Sequence, residues 1–177
     1  MPAPAFADAS AVEELVTNGT TTVDALAAAL GEVRRYCQWH VAPLWEHHTV
    51  TLTGRGPSLI LPTLNVVTLE EIVENDTTVD LARVDSDAGI LEHRDGRPWS
   101  PRRGGITVTM THGYPLDEVP ELVGLILDVA AGAHLAPVGL SNGAEKIGPF
   151  EYGGASGVTF TPAHYSVLDA FRLPVLP

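Results

Sequence analysis

Several groups of residues carry types and spacings that could do chemistry. Gly139-Leu140-Ser141-Asn142-Gly143 matches the G-x-S-x-G nucleophile elbow. That elbow places its serine on a tight turn between a buried strand and a helix, over a large parallel sheet. Here a helical pattern precedes it and a Gly-Pro loop follows, so Ser141 reads as a loop residue. His40, His47 and His48 suggest a metal site. No cysteine pair or spaced carboxylate completes a ligand set, and adjacent His47 and His48 would point to opposite faces of a strand. His112 ends a strand before a turn; a general base there needs a partner, and hydrogen bonding to loop backbone is the simpler role. Glu70, Glu71 and Glu74 could hold a glycosidase pair, but in a strand Glu70 and Glu74 share one face, and a solvated strand face accounts for them. Cys37, the single cysteine, falls on an apolar stripe and reads as core. No phosphate-binding glycine loop is present. The residues supply no enzymatic constellation and call for no cofactor or metal.

Charge narrows the partners. The chain has 177 residues, with 10 basic against 22 acidic and a formal net charge of −12. Gripping nucleic acid requires Lys and Arg to neutralise phosphate, so specific nucleic-acid binding is disfavoured. A chain this acidic can still surround nucleic acid, because repulsion keeps a polyanion off the walls. No apolar run reaches the roughly eighteen residues of a membrane span, and the N-terminal residues lack the pattern of a signal peptide.

The elements that must position these residues begin with a helix over about Val23–Gln38. Leu26, Leu30, Val33 and Cys37 recur on one face, Thr22 is its N-cap, and Pro43 follows its end. A capping box at Ser10-Ala11-Val12-Glu13 opens a shorter N-terminal helix. Thr49–Thr53 and Ser58–Leu61 read as a hairpin, as do Val66–Glu74 and Thr78–Val84. Ile90–His93 is a short strand, Asp95–Gly105 a loop, and Ile106–Thr111 an alternating strand. A second helix spans about Val119–His134, with Leu122, Val123, Ile126, Ala130 and Ala133 on its apolar face. Residues 137–157 contain six glycines and form a long loop. A strand at Val158–Thr161 leads to a last helix, capped by Thr161 with Pro162 at its first position. The expected fold is α+β, in one domain over 1–177. It is a small helical bundle of two long helices plus short N- and C-terminal helices, with inserted β-hairpins and antiparallel strands.

Several landmarks, in this order, resemble one family. Tyr36-Cys37-Gln38-Trp39-His40-Val41-Ala42-Pro43 resembles the helix-ending motif of tailed-phage head-to-tail adaptor (connector) proteins of the actinobacteriophage type. Leu61-Pro62-Thr63-Leu64, Gly89-Ile90-Leu91 and Thr111-His112-Gly113-Tyr114 resemble their strand links and strand-to-helix junction. Gly148-Pro149-Phe150 and Leu168-Asp169-Ala170-Phe171-Arg172-Leu173-Pro174 resemble their C-terminal region. The resemblance covers about Ala25 to Pro174; the segment before it departs from the family's longer helical lead.

The resemblance implies a non-enzymatic virion protein, assembled in the host cytoplasm. It would form a ring of about twelve copies beneath the portal protein, closed by heterologous contacts. The ring would join the portal to a stopper or tail-completion protein and pass genomic DNA without binding it. Within such a ring some of Glu70, Glu71, Glu74, Asp76 and Asp80, a dense acidic stretch without compensating lysine or arginine, are expected to line the channel. The C-terminal docking arm, about 158–177, follows the glycine-rich loop. With Phe150, Tyr152, Tyr165, Phe171, Arg172 and Leu173 it is expected to meet the portal or a neighbouring subunit and to order only there. Two other readings stand beside this one: another neck ring component, such as a stopper or tail-completion protein, and a small hydrolase using Ser141 or the histidines.

Overall fold

The computed structural model describes residues 23–135, 145–147, 150–152 and 160–173. The expected helix at Ser10, the Thr22 cap and the Ser141 motif lie outside them. So do most of the glycine-rich loop, Val158 and Thr159, and Pro174. The described chain forms two compact units.

The first unit, Gln38–Pro115 with Leu173, is β-structure. Its strands are β1 (Trp45–Leu52), β2 (Ser58–Ile60), β3 (Val66–Glu74), β4 (Thr77–Thr78), β5 (Val84–Asp87), β6 (Ile90–His93) and β7 (Ile106–His112). They make a four-stranded sheet in the order β1-β7-β3-β4 and a three-stranded sheet in the order β2-β6-β5, all pairs antiparallel. Strand β7 shows why: Ile106, Val108, Met110 and His112 are buried while the threonines between them are half-buried, so one face is core. Leu59, Leu61, Ile72, Val84, Leu91 and Trp99 complete that core. Trp99 comes from the loop before β7; its indole N–H donates to the Leu91 carbonyl at 3.0 Å.

The second unit contains α1 (Val23–Cys37), α2 (Pro120–Leu135), the paired strands β8 (Glu145–Ile147) and β9 (Phe150–Tyr152), and α3 (Pro162–Leu168). Helices α1 and α2 pack together. Leu26, Ala29, Leu30, Val33 and Cys37 are buried from α1, and Leu122, Leu125, Ile126, Val129 and Ala130 from α2. Val123, expected on that face, is only half-buried.

Three expectations are corrected. The fold is not a bundle of two long helices carrying β-hairpins: among the described residues it is mostly β, with two antiparallel sheets of seven strands, the separate β8–β9 pair and three short helices. The physical reason is that residues 38–115 bury an apolar cluster of their own, so the strands need no helical support. The hairpin from Thr49 to Leu61 is also absent. Strand β1 pairs with β7, more than fifty positions away, and β2 pairs with β6. Short-range alternation gives a strand but not its partner. Phe160 and Thr161 form no strand.

Candidate functional site

The acidic stretch acquires cations that the sequence places far from it. Glu74 is 8% exposed. Its carboxylate accepts from the Arg97 guanidinium at 2.8 Å and from the Ser100 backbone N–H at 2.7 Å, as burial of a charge requires. Arg102 reaches Asp76 at 3.4 Å. Asp80 caps the 3-10 turn Leu81–Arg83 by accepting from the Ala82 N–H at 3.0 Å. Glu70 accepts from Thr111 at 2.8 Å and pairs with His47 at 2.6 Å. The His47 imidazole, followed by the Thr111 hydroxyl, holds the Glu70 carboxyl below its usual range. Glu71 is exposed. A bulge between Leu69 and Glu71 shifts the β3–β7 register, so Glu70 and Glu74 do not share one solvated face. The stretch does not lack compensating arginine: Arg83, three positions after Asp80, lies 3.8 Å from its carboxylate. The loop 94–105 folds Arg97 and Arg102 back onto it.

The histidines separate as adjacent strand residues should. His47, at φ 50 in a β1 bulge, turns to Glu70, while His48 stacks on Trp45 with ring centroids 3.6 Å apart. His48 Nδ1 lies 2.8 Å from His112 Nε2. Thus the partner of His112 is a second imidazole, not loop backbone. Among the described residues no group of three or more His, Cys, Asp or Glu is placed to hold a metal.

Burial pushes the His112 imidazole down to about 4 from an ordinary 6.5. The half-buried His48 is lowered by the same cause. The unfolded chain therefore takes these protons first. The stability of the neutral pair is complete above about pH 6.5 and is lost as pH falls toward 4, by on the order of 3 kcal/mol for His112. The exposed His47, raised by Glu70, has the opposite sign over this window and is screened by solvent. Urea titrations at pH 7 and 4.5 should show this loss, and His112→Phe should flatten it; an equal acid slope in the variant would exclude the pair as its source.

The C-terminal segment is built onto the second unit. Thr161 and His164 form a reciprocal capping box, Pro162 opens α3, and Leu168 is buried. Tyr36 donates to the Asp169 carboxylate at 2.6 Å, and the Arg172 guanidinium lies 5.3 Å from the Tyr36 ring centroid. Tyr165 packs beside Tyr36 at 4.8 Å and remains 39% exposed. Phe171 is buried and Leu173 half-buried. Residues 160–172 are therefore held by their own unit, where the sequence suggested an arm ordered only on assembly. Two buried side chains and a full N-cap supply the holding contacts. Phe150 and Tyr152 lie in β9, and their side chains are outside the described set. Cys37 is buried; its thiol is pushed up to about 11 by that burial.

No protein-family profile and no curated protein matches the sequence. Solved structures share its fold. A chain in the neck of an empty GTA particle, computed with C6 symmetry, is similar at TM-score 0.64 and 16% identity, with 99% of this chain and 95% of that one covered. A chain in the neck of a native GTA particle, computed with C12 symmetry, is similar at TM-score 0.61 and 17% identity, with the same coverage. At such identity the likeness is one of fold.

Proposed function

We propose that this chain is a structural protein of a phage-like neck, a head-to-tail adaptor. About twelve copies form a closed ring beneath the portal protein and join it to a stopper or tail-completion protein. The observation that carries this reading is the fold likeness, along nearly the whole of both chains, to chains in particle necks of sixfold and twelvefold symmetry. The net charge of −12 suits a conduit that must release DNA. In this reading the stretch containing Glu70, Glu71, Glu74, Asp76 and Asp80 faces the channel. Glu71, Asp76 and Asp80 present exposed carboxylates there, and the buried Glu74 ties the adjoining loop through Arg97. Tyr165 and Arg172 offer exposed aromatic and guanidinium groups to the portal or a neighbouring subunit. Phe171, buried in the stretch between them, fixes that backbone, and Leu173, Phe150 and Tyr152 join the contact. The protein belongs to the virion, is assembled in the host cytoplasm, and carries out no catalytic step.

The test adds purified protein to heads that bear a portal but no tail and images them. The reading expects a twelvefold ring seated directly on the portal. Binding only after another ring has been added would assign the chain to a stopper position. A chain that never joins the particle would overturn the neck reading itself.

A further inference from the structure

We infer that two copies of this chain pair antiparallel along the outer edge of β1, over residues 48–52, with Val50 at the twofold axis. The inference does not rest on the neck reading: a twofold pair closes on itself, so it describes the free protein and not a ring. Strand β1 ends its sheet, whose order is β1-β7-β3-β4, and among the described residues no strand lies beyond it. Such an edge presents a row of unpaired backbone N–H and C=O groups, which proteins ordinarily shield with short strands, charges, prolines or bulges. The other edges here carry those devices. Strand β4 is two residues long, and β3 beside it has two bulges and the carboxylates of Glu70 and Glu71. Strand β2 is three residues long, with Pro57 before it and Pro62 shortly after. Strand β5 exposes Asp85 and Asp87. Strand β1 is eight residues long, and its bulge and its one carboxylate, Glu46, both fall before His48. From His48 to Leu52 it keeps regular register with β7 and carries no proline, acid, lysine or arginine. Burial holds the half-buried His48 imidazole below its ordinary range, so the whole window is uncharged at neutral pH.

The partner follows from the chemistry of that window, which is complementary to itself. In His48-Thr49-Val50-Thr51-Leu52, Val50 and Leu52 pack half-buried against the core, while Thr49 and Thr51 are exposed. Laid antiparallel on itself about Val50, the window sets Val50 opposite Val50 of the partner subunit. Thr49 then faces the partner's Thr51, and His48 faces the partner's Leu52. Core-side residues meet core-side residues, because alternation is preserved across a sheet. Threonine pairs and paired β-branched side chains stabilise neighbouring strands, and no like charges meet. The open flanks of Val50 and Leu52 are covered in the same step. A different edge of the second copy is a poorer fit, since the remaining edges are the shielded ones. The pairing joins two four-stranded sheets into one of eight strands.

Sedimentation of the full chain over a range of concentrations tests this, with a charge swap to read the register. The unmodified protein should pass from monomer to dimer as concentration rises. Thr49→Lys with Thr51→Lys sets lysine opposite lysine twice and should raise the dimer dissociation constant about tenfold. Thr49→Lys with Thr51→Glu sets lysine opposite glutamate twice and should restore the constant to the unmodified value or below. Both variants lose the same exposed hydroxyl contact between Thr49 and Thr109, so that loss cancels in the comparison. Equal constants in the two variants would overturn the pairing. So would a chain that stays monomeric at its highest soluble concentration, or one that assembles directly into larger rings. A second measurement needs no variant: amide hydrogen exchange over residues 48–52 should slow as concentration rises, because the outward N–H groups are bonded only in the pair. Exchange there that ignores concentration would also overturn it.

Discussion

Replacing Trp99 with alanine should lower the unfolding free energy by about 3–5 kcal/mol. The indole is 1% exposed and is among the largest fully buried side chains. It lies in the cluster formed by Leu59, Leu61, Ile72 and Leu91, residues drawn from both sheets and their links. Its N–H donates to Leu91, and its ring packs on His93 with centroids 3.8 Å apart. Truncation therefore opens a cavity and strands the Leu91 carbonyl. The backbone of the same residue donates to the Gly56 carbonyl at 2.9 Å, and Ser100 accepts from the Gly54 N–H at 2.9 Å. The loop that delivers Arg97 to Glu74 is thus pinned from both sides. Urea unfolding followed by circular dichroism reads the loss, and a change below about 1 kcal/mol would mean that the loop is not part of the core.

Gly89→Ala is expected to be almost as costly. Gly89 occupies φ 78 in the turn between β5 and β6, and a Cβ there would sit 1.8 Å from the Thr63 carbonyl oxygen. That oxygen is backbone and cannot swing aside. The left-handed conformation costs an alanine about 1–2 kcal/mol, and the forced shift adds roughly 1–3 kcal/mol. The same turn accepts the Leu61 N–H at 2.8 Å, so strain should spread into β2. The expected result is a destabilisation of about 2–5 kcal/mol, the sum of those two costs. Gly96→Ala is the comparison, because that glycine shares a positive φ but has open space around it. Equal effects in the two variants would show that backbone conformation, not the contact with Thr63, sets the cost.

The sequence by itself determined the local elements. Leu26, Leu30, Val33 and Cys37 mark the buried stripe of α1 at helical spacing, and Ile106, Val108 and Met110 mark the core face of β7. Thr161 and Pro162 announce the start of α3 through capping chemistry that acts over three residues. The mostly β character, the two sheets and their pairing were decided only by the tertiary structure. Strand β1 chooses β7 over the nearby β2, and no periodicity encodes that choice, because side-chain alternation is the same whichever partner is taken. The candidate site divides in the same way. The acidic residues are plain in the sequence, yet burial of Glu74 and its pairing with Arg97 follow from a loop whose central tryptophan enters the core. His48 and His112 lie on strands that only sheet formation brings together. Their contact was hidden because charge and hydrogen bonding between distant residues depend on position in space, whereas helix caps and apolar stripes depend on position along the chain.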